Sequence, residues 1–226
     1  MDAVLYDWPP AARFGRVVPK TRFYEHGRVS TRLREQFVAD IARITWAFKL
    51  ADETIHLRGT PTVPEIQIFS IELKAETVSA DVLTAIDKSI PFPIIFEINR
   101  QDGDGAVVRM AAAHKTLSGT TPRLSRYFET ARLPAGAPRL PLPTALDLPT
   151  LYARLLTPLL PAQLRPGEDV AAAISRLDEA RKLEREIAGL ERRLRTEPQL
   201  NRKVELRRQL KSRAKALSVL TDSETP

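Results

Sequence analysis

Apolar residues recur at steps of three and four along the last quarter of the chain and alternate or cluster over short runs before it. The contrast predicts a sheet-forming body followed by a helical tail. In the tail, Ile174, Leu177, Ala180, Leu183, Ile187, Leu190 and Leu194 form a narrow seam on one side of a helix, the pattern of a coiled coil. Leu200, Val204, Leu206, Leu210, Ala214, Leu217 and Leu220 repeat it less strictly. Pro198 lies between the two runs, lacks an amide hydrogen and is costly inside a helix, so the tail is expected to fold back there as an antiparallel hairpin.

In the body, residues 1–30 read as an irregular arm with room for one short strand. Ser30 or Thr31 caps a predicted helix ending near Leu50, with Leu33, Phe37, Ile41, Ile44 and Phe48 as its apolar stripe. Thr54 to Leu57 reads as a brief strand. Glu65 to Lys74 reads as an interior strand, because Ile66, Ile68, Phe69, Ile71 and Leu73 supply apolar groups to both faces. A short helix from Ser79 through Ile86 follows, then strands at 94–98, 106–113 and 127–133, the first two joined by a turn at Asp102-Gly103-Asp104-Gly105. Prolines recur from Pro134 to Pro149 and predict a linker, after which Leu151 to Leu156 begins a helix packed near the sheet. The predicted fold is α+β: a mixed or antiparallel sheet of about four to five strands with flanking helices, then the coiled-coil hairpin. The expected domains are 1–133, a linker at 134–149, and a helical region at 150–226.

Hydrophobic residues make up 43% of the chain, enough for a core, and no apolar run nears the roughly 18 residues of a membrane span. The first residues lack the pattern of a signal peptide, and the absence of cysteine excludes disulfides and thiolate chemistry. A soluble cytoplasmic protein, without a membrane partner, is the expectation. The net charge of +7 changes the picture more. Between Arg176 and Lys215 there are fourteen Lys and Arg against seven Asp and Glu, so the tail accounts for the whole surplus. A solvated surface of Glu–Arg pairs explains part of this. It does not explain Arg202, Lys203, Arg207, Arg208, Lys211, Arg213 and Lys215, among which Glu205 is the one acid. Phosphates or an acidic protein face would complement them.

Candidate chemistry is sparse. His26, His56 and His114 are scattered, and no phosphate-binding loop, dinucleotide motif or serine elbow is present. Glu72-Leu73-Lys74 matches the acid-x-Lys element of Mg²⁺-dependent nucleases, with Glu65 as the other acid. Both acids, however, fall on one strand and on opposite faces, which favours a solvated strand end. No cofactor or metal site is assigned, and a non-enzymatic protein is preferred. In the arm, Lys20, Arg22 and Arg28 beside Phe23 and Tyr24 form a basic-aromatic contact surface for phosphate or a partner's acids.

Several segments together carry a resemblance: Pro19-Lys20-Thr21, Ile44 to Leu50, Glu65 to Phe69, Ile86 to Glu97, and Asn201 to Leu206. The chain resembles, over nearly its whole length, a bacterial family known only as a domain of unknown function (number 4391). That resemblance brings no catalytic residues. It implies an accessory role beside helicases and DNA methyltransferases in antiviral defence or restriction-type gene clusters. The expected function is therefore a non-enzymatic subunit that binds DNA, a helicase or a methyltransferase subunit through the hairpin. The alternatives are a metal-dependent nuclease and a structural protein that associates with a second copy of itself.

Overall fold

The computed structural model describes residues 4–24, 29–103, 105–116 and 122–221. It forms two compact units, Met1–Pro161 and Ala162–Pro226. Among the described residues the first unit holds one mixed sheet of seven strands. Six lie side by side in chain order: β1 (Arg13–Val17), β2 (Ile41–Leu50), β3 (Ile66–Leu73), β4 (Ile94–Asp102), β5 (Gly105–Thr116) and β6 (Arg123–Glu129). The two-residue β7 (Leu133–Pro134) also pairs with β5. Neighbours are antiparallel except β3 and β4, which run parallel because helix α4 (Ala80–Ser89) connects them. The sheet exceeds the four to five strands expected: it adds β1, the two-residue β7, and β2, which was expected to be helical, and lacks the strand expected at 54–57. The β4–β5 turn forms as predicted: Asp102 pairs with Gly105, whose φ of +134° suits glycine.

The predicted helix ending near Leu50 is corrected. Helix α2 (Thr31–Asp40), capped by Ser30 as expected, stops at Asp40, and Ile41 begins β2. The backbone amides of Lys74 and Ala75 donate to the Asp40 carbonyl, so tertiary bonds satisfy the helix end. The β-branched and aromatic residues of 41–50 fit a strand better than a helix, although the three-and-four spacing runs through both. A bulge between Trp46 and Phe48 sends them to opposite faces, Trp46 onto Phe69 and Phe48 onto Trp8. Likewise 54–57 is not a strand: one helical turn, α3 (Asp52–Ile55), ends at His56 in a left-handed conformation.

One sheet face carries the main core, where Phe37 and Ile41, Val82, Leu83 and Ile86 of α4, and Phe69, Ile71, Phe96 and Ile98 pack together. Helix α1 (Thr21–Tyr24) adds Phe23 to it. On the other face Glu97 accepts from the Trp8 indole at 2.6 Å and from Arg139 at 2.7 Å. Arg139 also donates to the Tyr6 carbonyl, while Leu140 exchanges backbone bonds with Leu5 and Asp7. Residues 5–8 and the proline-rich segment are thus bonded to each other and to the sheet. The expected linker at 134–149 therefore lies inside the first unit. Its prolines stiffen a strap laid on the body, and the division falls after Pro161. Helix α5 (Leu148–Leu156), capped by Asp147, buries Leu148, Leu151, Tyr152, Leu155 and Leu156.

The second unit consists of helices α6 (Val170–Thr196) and α7 (Leu200–Thr221). Arg176 of α6 bonds the Leu220 carbonyl of α7, and Arg213 of α7 pairs with Glu186 of α6 at 3.0 Å. Those contacts make the pair antiparallel, with the reversal at 197–199 around Pro198, as the spacing predicted.

Candidate functional site

The hairpin is built from an apolar seam and a charged outer surface. Ile174, Ala180, Leu183 and Leu206 are buried, whereas Leu200 and Val204 are 72% and 58% exposed. The open end of the pair is locked by charge. Arg165 donates to the carbonyls of Val219 and Leu220 in the last turn of α7, and Arg176 forks onto Glu168 at 2.7 and 2.8 Å. The Arg176 hydrogen bonds hold the Glu168 carboxyl well below its usual range, at about 2.

Along α7, Arg202, Arg207, Arg208, Lys211 and Lys215 are exposed and Lys203 half-buried, and none makes an ion pair or side-chain hydrogen bond among the described residues. Arg213 differs, being tied to Glu186. Lys203, Arg207, Lys211 and Lys215 follow each other at steps of four, about 6 Å apart on one ridge. Like charges at that spacing cost a helix about 0.2–0.5 kcal/mol per pair. Arg202 and Lys203 also sit in the first turn, where the helix dipole favours acids. Local helix stability does not account for these cations.

The first unit contains a groove of about 1660 Å³ between α1, α2, β1 and the end of α4. Its floor includes Trp46 and Phe69, stacked at 6.1 Å, and Phe14, whose ring lies 4.0 Å from Trp46. Arg16, Arg22, Arg32 and Lys88 stand around it, all exposed, against the single acid Asp81. Of the arm residues expected to grip a ligand, Arg22 therefore lines a real concavity. Lys20 does not line it: its ammonium donates to the Ile41 carbonyl at 2.8 Å, which joins the arm to β2. Arg28 lies outside the described residues.

The acids of the nuclease alternative do not meet. Glu65 precedes β3 and pairs with Lys49 at 3.3 Å, whereas Glu72 near its far end pairs with Arg43 at 2.6 Å. A strand rise of about 3.3 Å per residue separates them by about 23 Å. The Lys74 ammonium donates to the Val38 carbonyl. Among the described residues no three His, Asp or Glu side chains are grouped to hold a metal ion.

Sequence reasoning missed the groove, whose residues come from five separate segments, and a buried polar cluster behind it. There Lys115 of β5 contacts the Asp87 carboxylate of α4, with neither side chain exposed. Its ammonium also donates to the carbonyls of Asp87, Ile90 and Phe92 at 2.7, 2.8 and 2.6 Å. Tyr127 donates to Asp87 at 2.9 Å, and Tyr152 bridges the Ala113 carbonyl and the Lys115 amide. Burial pushes the Asp87 carboxyl up and the Lys115 ammonium down. A lysine following Ala111-Ala112-Ala113 on a buried strand was the available signal. This cluster fixes structure: every donor of the ammonium is taken, which leaves no proton free for a substrate.

No helix among the described residues is long and apolar enough to cross a membrane. No curated protein and no solved structure matches the chain. The model of the family described as Domain of unknown function (DUF4391) matches residues 6–217, and the chain belongs to that family.

Proposed function

We propose that the chain is a non-enzymatic accessory subunit that binds duplex DNA through the coiled-coil seamed hairpin, within a bacterial antiviral-defence or restriction-modification assembly. The observation that carries the DNA reading is the set of six α7 cations without an ion pair or side-chain hydrogen bond among the described residues. Spaced at steps of four, Lys203, Arg207, Lys211 and Lys215 repel one another, and Arg202 and Lys203 oppose the dipole in the first turn; a phosphate backbone repays both. The setting beside a helicase or methyltransferase subunit rests on the family resemblance alone.

The test replaces Arg202, Lys203, Arg207 and Arg208 together by Glu. Binding of a labelled duplex, read by fluorescence anisotropy, is expected to weaken at least about a hundredfold near physiological salt. Persistent duplex binding, together with unchanged co-purification of a helicase or methyltransferase from the native host, defeats the reading. Loss of co-purification with duplex binding intact assigns the same cations to a protein partner instead.

A further inference from the structure

We propose that the groove in the first unit binds single-stranded nucleic acid, bases toward its aromatic floor and phosphates on its rim. The inference rests on the nucleic-acid reading only for the class of polymer; the site is independent of the hairpin. Four cations, Arg16, Arg22, Arg32 and Lys88, surround the groove against one acid, and none has an ion pair among the described residues. Below them lie the half-buried rings of Phe14, Trp46 and Phe92. Single strands present this combination, flat rings alternating with anionic groups, and aromatic side chains with arginines are its usual receptors. An acidic peptide satisfies the rim and leaves the aromatic floor unexplained. A duplex keeps its bases turned inward and offers the floor nothing.

Size and rigidity agree with that occupant. Small-molecule pockets enclose about 300–1,000 Å³, and this groove, at about 1660 Å³, suits a segment of chain. Its wall at 90–92 is held by Lys115, which donates to the carbonyls of Ile90 and Phe92. That wall is thus held in place before any ligand arrives, which lowers the cost of binding against it.

The experiment uses the full chain and a labelled oligodeoxythymidylate of about a dozen nucleotides, beside a duplex of equal length. The Arg16→Glu, Arg32→Glu double variant is expected to bind the single strand at least about tenfold more weakly and the duplex as wild type does. The hairpin variant, with Glu at 202, 203, 207 and 208, is expected to do the reverse. Trp46 supplies a second readout, because Trp8 is only 5% exposed: the unlabelled oligonucleotide is expected to quench tryptophan emission of the wild-type protein. Unaltered single-strand affinity in the groove variant, or absence of quenching in the wild type, overturns the proposal and leaves the hairpin reading standing. Displacement of the oligonucleotide by polyglutamate at equal charge also overturns it, and assigns the groove to an acidic protein.

Discussion

Lys115 of β5 and Asp87 of α4 form an ion pair in which neither side chain reaches solvent, and the same ammonium donates to three backbone carbonyls around the end of α4. The two partners are not equivalent. Lys115 keeps three oxygen acceptors if Asp87 is neutralised, whereas Asp87 without Lys115 retains one hydroxyl donor, from Tyr127. Burial raises the carboxyl pKa and lowers that of the ammonium, so pairing does not fully offset desolvation.

Lys115→Met is therefore expected to lower the free energy of unfolding by about 3–5 kcal/mol, the cost of stranding a buried charge. Asp87→Asn is expected to cost about 1–3 kcal/mol, because the carbonyl cage still satisfies the ammonium. Urea denaturation followed by circular dichroism measures both. Equal losses would contradict the asymmetry.

The hairpin's open end carries a pH dependence. Hydrogen bonds from Arg176 depress the Glu168 carboxyl from 4.5 to about 2, so its contribution is complete above the unfolded value and lost as pH falls through the folded one. Glu168→Gln is expected to destabilise the protein near neutrality, with the difference from wild type shrinking as pH falls from about 4.5 and vanishing below about 2. Paired denaturation curves across that interval read the difference. A gap that stays constant with pH would show that the ion pair contributes nothing.

Arg139 ties the proline-rich strap and the N-terminal arm to a nearly buried carboxylate. It bonds Glu97 through two nitrogens and the Tyr6 carbonyl through one. Arg139→Ala leaves Glu97 with the Trp8 indole and is expected to cost about 2 kcal/mol, as for hydrogen bonds to a charged group. Faster proteolysis within 134–149 should accompany the loss, whereas an independent linker would be cut equally fast in both proteins.

Salt dependence tests the hairpin as a phosphate surface. The slope of log affinity for duplex DNA against log salt is expected to become shallower by about one unit for each cation removed from contact, in Arg207→Ala and then in Arg207→Ala, Arg208→Ala. Arg213→Ala is expected to change it less, since Arg213 is occupied by Glu186.

Elements whose stabilisation is local were legible in the sequence. Ser30 and Ser79 cap helices, Gly105 closes a hairpin, Pro198 reverses the tail, and β3 shows its apolar run. The hairpin cations were legible too, because exposure and charge surplus on a helix follow from spacing. What depended on distant pairing was not. Ile41 to Leu50 satisfies a helical spacing, and becomes a strand because β1 and β3 bond to it on either side. Prolines at 134–149 mark stiffness without saying whether the chain is free or strapped down, and Glu97 with Arg139 decides that.

The sequence by itself determined the α+β composition, the reversing basic tail and the absence of thiol chemistry, since these follow from residue type and short spacing. Tertiary structure alone decided that Glu65 and Glu72 stay apart, that Lys20 bonds the Ile41 carbonyl, and that Arg16, Arg32 and Lys88 line one groove with Trp46. Convergence of that kind is set by strand order and register, which join residues dozens of positions apart through backbone bonds that no local pattern encodes.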